Sequence, residues 1–505
     1  MVRMGLRPCT PAVPRPKIST RRWSPAVDRP GHGAPGADDS YHSVGVVALE
    51  ADTILVRGLP RILARAGWLL RWLALLTVLS GIAGSAVALF LWLLERATDA
   101  RLEAGWLLFL LPVAGVVIAW VYARFGEEAA GGNNVVFDAV HHPERHVPFR
   151  MAPLILLTTV GTHLFGGSAG REGTAVQIGG GVAGGMGRFL GLTAPERRAL
   201  LMAGVAAGFG AVFGTPVAGA IFAMEVLAIG RLEWRFALPL LYASYLADQV
   251  ALTWGTHHVH YAIAMPGGFG VDPWLLARAA LAGVAFGVAA VLFSELLHEF
   301  ARLVRSAVRH PPARPAAGGL LVIGLVAALG TREFLGLGVE GPAGGTTLVT
   351  SFAEGGAGPL DWWWKTVFTM VTLGSGFKGG EVTPLFYIGA TLGNQLGHLL
   401  NAPIDLFAGL GFVAVFAGAA NTPVACTVLG IELFGFEPAP YLAVACVVAW
   451  AVSGHTGIYL SQRIHRPKPG LRRRAVANGS SLREHRAGQY GRLASWWRGR
   501  RRRDG

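Results

Sequence analysis

The chain has 505 residues, of which 15% are charged and 52% hydrophobic, with 70 glycines and a mean hydropathy of +0.46. A soluble domain carries about 25% charged residues, so this composition excludes a soluble enzyme, a disordered chain, a collagen and a disulfide scaffold, and points to a polytopic membrane protein. The net charge of +14 sits mostly in one tail: from Arg466 onward thirteen Lys and Arg face only Glu484 and Asp504, which fits a cytoplasmic tail near anionic lipid better than nucleic-acid binding.

Residues 1–60 are rich in Pro, Arg and Gly, lack apolar periodicity and read as a disordered basic leader. The first long apolar run, Trp68 to Leu94, is too long and too far inside the chain for a signal peptide and is predicted to be the first span. Further apolar stretches cover 105–122, 151–166, 174–192, 199–230 and 236–254, then 273–300, 318–330, 362–376, 383–400, 405–434 and 439–460. Several fall short of the roughly 20 residues a bilayer core requires, and Gly or Pro interrupts many, so broken and re-entrant helices are expected. Cys9, Cys426 and Cys446 imply neither a disulfide framework nor a zinc site, and no cofactor site is read.

An internal repeat organises the spans. Gly170-Arg171-Glu172-Gly173-Thr174 is echoed by Gly379-Gly380-Glu381-Val382-Thr383, and Thr215-Pro216-Val217-Ala218 by Thr422-Pro423-Val424-Ala425. Thr215 to Thr422 and Glu225 to Glu432 share one offset of 207 residues. The loop after the first span balances Arg96 and Arg101 against Asp99 and Glu103, whereas the counterpart after 273–300 carries Arg302, Arg305, Arg309 and Arg314. The positive-inside rule then sets the halves, about 61–254 and 273–465, in opposite orientations. Inverted repeats with interrupted helices place an ion site near the midplane, so a transporter or channel is expected.

Glu172 stands between flexible glycines just before an apolar helix, where free N–H groups and the helix dipole attract anions. A tethered carboxylate can occupy that site, yield it to a permeant anion, and exchange a proton as it moves; the alternative role is an ordinary helix cap. Arg171 is an ion-pair partner or an outer structural charge. At the repeat-related position, N–H groups from Val382 onward and the Thr383 hydroxyl would face the same centre, unless Gly379 to Pro384 is only a helix boundary with Glu381 in solvent. The amides of Asn133 and Asn134 offer donors to a hydrated anion and equally suit a helix N-cap. Tyr459, at the end of the last apolar run, reads by itself as an interfacial belt residue. Two motif matches conflict with their context. Gly166-Gly167-Ser168-Ala169-Gly170 fits a nucleophile elbow, which would make Ser168 an intramembrane hydrolase nucleophile, but no strand precedes it. Gly179, Gly181 and Gly184 fit a dinucleotide fingerprint but sit in an apolar helix, where small residues pack spans together.

These residues resemble the CLC family of anion channels and proton-coupled anion antiporters over about 61–465. Gly170 to Thr174 is similar to the family's G-R-E-G-P segment, Gly379 to Pro384 takes the place of G-x-F-x-P, and Tyr459 matches the tyrosine of the central anion site. Gly131-Gly132-Asn133-Asn134-Val135 replaces the chloride-type G-S-G-I-P, Thr174 stands where Pro is usual, and Val382-Thr383 replaces Phe-Ala. Those departures resemble the bacterial fluoride/proton antiporter branch, as does Val226 at the position of the inner relay glutamate. The resemblance implies an all-α CLC-type inverted repeat and a homodimer in the bacterial inner membrane, both termini cytoplasmic, exchanging fluoride for protons; a chloride channel or chloride/proton antiporter of the same fold is the alternative. It also implies that Glu172 gates and carries protons, and that Gly132, Asn133, Asn134, Gly170, Arg171, Gly173, Thr174, Val382, Thr383 and Tyr459 line the anion path. The 39 residues after Arg466 are expected to be too short for the paired cytoplasmic nucleotide-binding domains of some relatives.

Overall fold

The computed structural model describes residues 43–505 except 143, 260, 265–269, 343, 469–478 and 489–505, with side chains from residue 63. The leader up to residue 42, with Cys9, and most of the far basic tail lie outside the described residues. Two units are separated at Trp68, Met1–Trp68 and Leu69–Gly505. Helix α1 (Ser43–Glu103) begins inside the stretch read as leader. No proline falls between Ser43 and Leu59, and Ala, Leu and Glu supply good helix formers there.

In the second unit follow α2 (Leu111–Phe125), α3 (Asn133–His141), α4 (Met151–Leu164), α5 (Glu172–Phe189), α6 (Ala194–Phe213), α7 (Pro216–Glu225) and α8 (Ala237–Thr253). The later half holds α9 (Pro273–Ala307), α10 (Ala313–Leu329), α11 (Asp361–Ser375), α12 (Val382–Leu399), α13 (Ile404–Ala420), α14 (Pro423–Phe434) and α15 (Ala439–Val452). The run 199–230 is thus two helices, and so is 405–434. Gly214 and Asn421 end α6 and α13 in the left-handed region, with φ of 71° and 60°, and a proline opens the next helix two residues later. By length and composition, Leu63–Glu103, Gly105–Phe125 and Pro273–Ala307 can each cross a bilayer, while six further apolar helices among the described residues have only 10–17 residues. Apolar side chains such as Leu238, Trp274 and Phe189 are exposed, as expected of a surface solvated by lipid tails.

The two halves meet reciprocally. The Gly170 N–H donates to the Gly380 carbonyl at 2.6 Å, and the Gly380 N–H donates back to Gly170 at 2.7 Å. Glu225 accepts from the backbone of Val424 and Ala425, and Glu432 from that of Val217 and Ala218. Contacts in which i meets j′ and j meets i′ are the signature of a two-fold relation, so the repeat read from the sequence is a repeat in space. Within each half the two long core helices touch backbone to backbone. A side chain on Gly179 would strike the Gly204 carbonyl, and one on Gly389 would strike that of Gly411. The glycines that mimic a dinucleotide fingerprint therefore serve close helix packing.

The tail read as a basic cytoplasmic segment from residue 466 is docked over 479–488. Ala228–Ile229 pairs in parallel with Arg463–Ile464, Ser480 accepts from the Ile464 N–H, and Leu482 is buried with Ile229 and Ile464. Arg486 reaches Glu295 and Glu299 on α9 at 2.9 and 2.8 Å. Apolar burial and these ion pairs override the segment's basic composition.

Candidate functional site

The paired glycines Gly170 and Gly380 lie just ahead of the starts of α5 and α12 and bring those two helix ends together. At such an end four backbone N–H groups have no partner within the helix. Glu172, the first residue of α5, is 1% exposed, so its carboxylate must find donors inside the protein. They come largely from the other repeat. Its Oε2 accepts from the Thr383 N–H at 3.0 Å, from the Thr383 hydroxyl at 2.6 Å and from the Arg171 N–H at 3.2 Å. The Arg171 Nε lies 3.5 Å from Oε1. A carboxylate carried by one half thus occupies the positive end of a helix in the other half.

Behind this seat, Gly173 permits a close approach of several groups. A side chain there would meet the Asn133 amide nitrogen, the Gly380 backbone and the Glu381 carboxylate. Gln177, one turn further along α5, donates to the Gly173 carbonyl at 3.1 Å. Asn133 Oδ1, Gln177 Oε1 and Glu381 Oε2 are buried acceptors without a hydrogen-bond partner among the described residues, so the alternative of Glu381 in solvent does not hold. Gly132 caps α3 at φ 61°, ψ −139°, a conformation open to glycine and strained for other residues, and so directs Asn133 toward α5.

Several expected residues are placed elsewhere. Asn134 faces the segment after α15: its side-chain oxygen accepts from the Ser461 N–H at 2.9 Å and its carbonyl from the Ser461 hydroxyl at 3.0 Å. That contact anchors the turn carrying Tyr459, which is buried with its ring edge-on to Phe137 at 5.1 Å and Phe222 at 6.4 Å. Burial among aromatic side chains is not the setting of an interfacial belt residue. Among the described residues, Tyr459 makes no hydrogen bond to Glu172. The Thr174 hydroxyl is paired with Thr159 on α4 at 2.9 Å, and Val382 is buried. Gln177 and Glu381 were not singled out as site residues; the signal for Gln177 is an amide inside an otherwise apolar helix.

A cavity of about 20 Å³ lies against Glu172, lined also by Arg171, His258, Tyr261, Thr383 and Phe386. It shares Arg171, Val259 and Val339 with a vestibule of about 440 Å³ that Glu95, Thr98, His257 and Glu340 also line. The Ser168 motif follows helix α4 rather than a strand. Its hydroxyl pairs with Thr369 at 3.0 Å, and both ring nitrogens of His163 are taken by the Thr159 and Ala169 carbonyls. The geometry of a nucleophile elbow is therefore absent at Ser168.

Comparison with known proteins finds the voltage gated chloride channel family matching residues 114–454. A chloride/fluoride channel protein of Pseudomonas syringae pv. tomato is 48% identical over 409 residues, 80% of this chain and 89% of the relative. The H(+)/Cl(-) exchange transporter ClcA of Vibrio cholerae is 28% identical over 366 residues, 68% of this chain and 75% of that one. The crystal structure of a CLC-type fluoride/proton antiporter superposes with a TM-score of 0.74 at 33% identity, covering 78% of this chain and 98% of that chain. A slow cyanobacterial Cl-/H+ antiporter shares the fold, with a TM-score of 0.62 at 19% identity over 76% of this chain and 94% of that one.

Proposed function

This chain belongs to the voltage-gated chloride channel family, and on that footing we propose that it carries fluoride across the bacterial inner membrane in exchange for protons. The carrying observation is the Glu172 seat. An N–H and a hydroxyl from Thr383 and an N–H from Arg171 converge on one carboxylate oxygen, and such a set of short, hard donors suits a small anion that has shed its water. Ionised Glu172 and a permeant anion compete for the same donors. Protonated Glu172 holds them weakly and leaves, taking its proton along, so the two movements are linked.

Gly132, Asn133, Asn134, Gly170, Arg171, Gly173, Thr174, Val382, Thr383 and Tyr459 line or support the path in this reading. The unpartnered oxygens of Asn133, Gln177 and Glu381 offer a place for a protonated species behind the seat. Glu225 is bound to the start of α14 and Val226 follows it, which supports a cycle without an inner relay acid. Fluoride is favoured over chloride by the likeness to a CLC-type fluoride/proton antiporter at 33% identity, while the 48% identical relative is named for both anions. The same family membership suggests a homodimer with one pathway per subunit and both termini cytoplasmic.

Reconstitution of the full chain in liposomes, with fluoride and chloride electrodes and a pH probe, tests the reading. Fluoride flux should exceed chloride flux and move protons the opposite way, and Glu172→Gln should abolish the proton-coupled part. Chloride passing as fast as fluoride overturns the fluoride assignment; intact coupling in Glu172→Gln overturns the gating role.

A further inference from the structure

We propose that His258, braced by Asp248, is the outer proton-transfer residue that loads and unloads Glu172; the inference rests on the fluoride/proton reading above. His258 lines the cavity of about 20 Å³ beside Glu172, a volume that holds about one water molecule. Its neighbour His257 lines the larger vestibule. The segment carrying both thus forms the wall between the open vestibule and the buried carboxylate.

The His258 Nε2 stands 3.4 Å from Asp248 Oδ1 on α8, with side-chain exposures of 13% and 7%. Neither atom has a hydrogen-bond partner among the described residues. The other Asp248 oxygen accepts only a long contact from Gln249 at 3.4 Å. A buried carboxylate so thinly solvated is costly unless a positive charge faces it, and imidazole is the side chain that gains and loses that charge near neutral pH. The fold also keeps room for the ring. Gly214 ends α6 at φ 71°, and a side chain there would collide with His258.

The other charged and titratable groups around the cavity are Arg171 and Glu172 from the start of α5 and Tyr261 from His258's own segment. Glu432 on α14 lies within electrostatic reach of Asp248. Only Glu172 among these sits in the seat the anion would take. In the transfer, an N–H bond of the imidazolium breaks and an O–H bond forms on the Glu172 carboxylate, directly or through the single water the cavity admits. Neutral Glu172 then leaves Thr383, and neutral His258 takes its next proton from vestibule water. Asp248 keeps its place beside the ring, and the reverse steps return the proton.

The test uses the full chain in liposomes under a fluoride gradient, with pH varied on the vestibule side from roughly 5.5 to 7.5, the range in which imidazole titrates. His258→Gln should slow coupled exchange about tenfold or more and flatten its pH profile, with the fluoride-to-proton ratio unchanged. Asp248→Asn should move the midpoint of the profile to lower pH. Added imidazole should restore flux to His258→Ala, which a purely structural tie between α8 and this segment does not allow. A His258→Gln protein with the rate and pH profile of the unmodified chain overturns the proposal. If both His258 variants are inactive, an unmoved midpoint in Asp248→Asn together with no imidazole rescue overturns it as well. An unmodified chain that moves no protons with fluoride refutes the antiport reading itself, so the two failures are told apart.

Discussion

Two pairs of glutamates relate the halves of this protein, and they are treated differently. Glu225 and Glu432 each accept two backbone N–H groups from the helix start of the opposite half, at 2.7–3.1 Å. The pair is symmetric and each acid is satisfied. Glu172 and Glu381 also stand at the two paired helix starts, but only Glu172 takes hydrogen-bond donors from the other half, those of Thr383. The Glu381 carboxylate lies near Gly173 of the other half with a buried oxygen that has no hydrogen-bond partner among the described residues. A symmetric arrangement with every donor used has nowhere to go, so it fastens the halves together. A carboxylate seated on the other half's donors, with a second acid beside it left without a partner, has another arrangement close at hand, and this is where movement is expected.

The comparison can be broken at three points. The largest effect is expected at Thr383. Thr383→Val removes a hydroxyl bonded to the Glu172 carboxyl, an interaction of about 1.5–3 kcal/mol, and coupled flux should change by roughly one to two orders of magnitude, more than the accompanying loss of thermal stability explains. Next come the fastening acids. Glu225→Gln and Glu432→Gln should each lower stability by about 1–2 kcal/mol through weaker bonding to a helix start, seen by thermal unfolding in detergent, and leave the fluoride-to-proton ratio unaltered. A changed ratio in either variant would erase the distinction between the two pairs. The smallest effect belongs to Ser168→Ala, which loses one neutral hydroxyl contact with Thr369; it should cost about 1 kcal/mol with normal flux, and loss of flux would mean that Ser168 has a role of its own.

Much of this was legible in the chain itself. Low charge and high glycine content marked a membrane protein, and the shared spacing of Thr-Pro and Glu in two places marked a repeat. Glu172 stood out because an acid between glycines at the head of an apolar helix has few ordinary uses. Less legible was the direction of each contact. Sequence shows that Glu225 and Glu432 are equivalent, but not that each reaches the other's half, because that follows from how two copies of a module are turned against one another. Asn133 and Asn134 are neighbours with the same chemistry, yet one turns toward Gly173 and the other ties down the turn bearing Tyr459, since successive residues at a helix start point about 100° apart. The repeated motif sets Thr174 beside Thr383, but the reciprocal pairing of Gly170 with Gly380 moves the register by one residue, so Thr383 stands opposite Gly173; Thr383 serves the carboxylate, and Thr159 on α4 engages Thr174.

Composition, periodicity and the repeated motifs were enough to determine an all-helical, two-fold membrane protein and the acid at its centre, because burial in lipid demands apolar helices and tolerates a charge only where it is used. Which donors that acid meets, and which histidine lies beside it, were decided by the tertiary structure. Thr383 and His258 lie more than 80 positions from Glu172, and no local preference of the backbone specifies a partner at that distance.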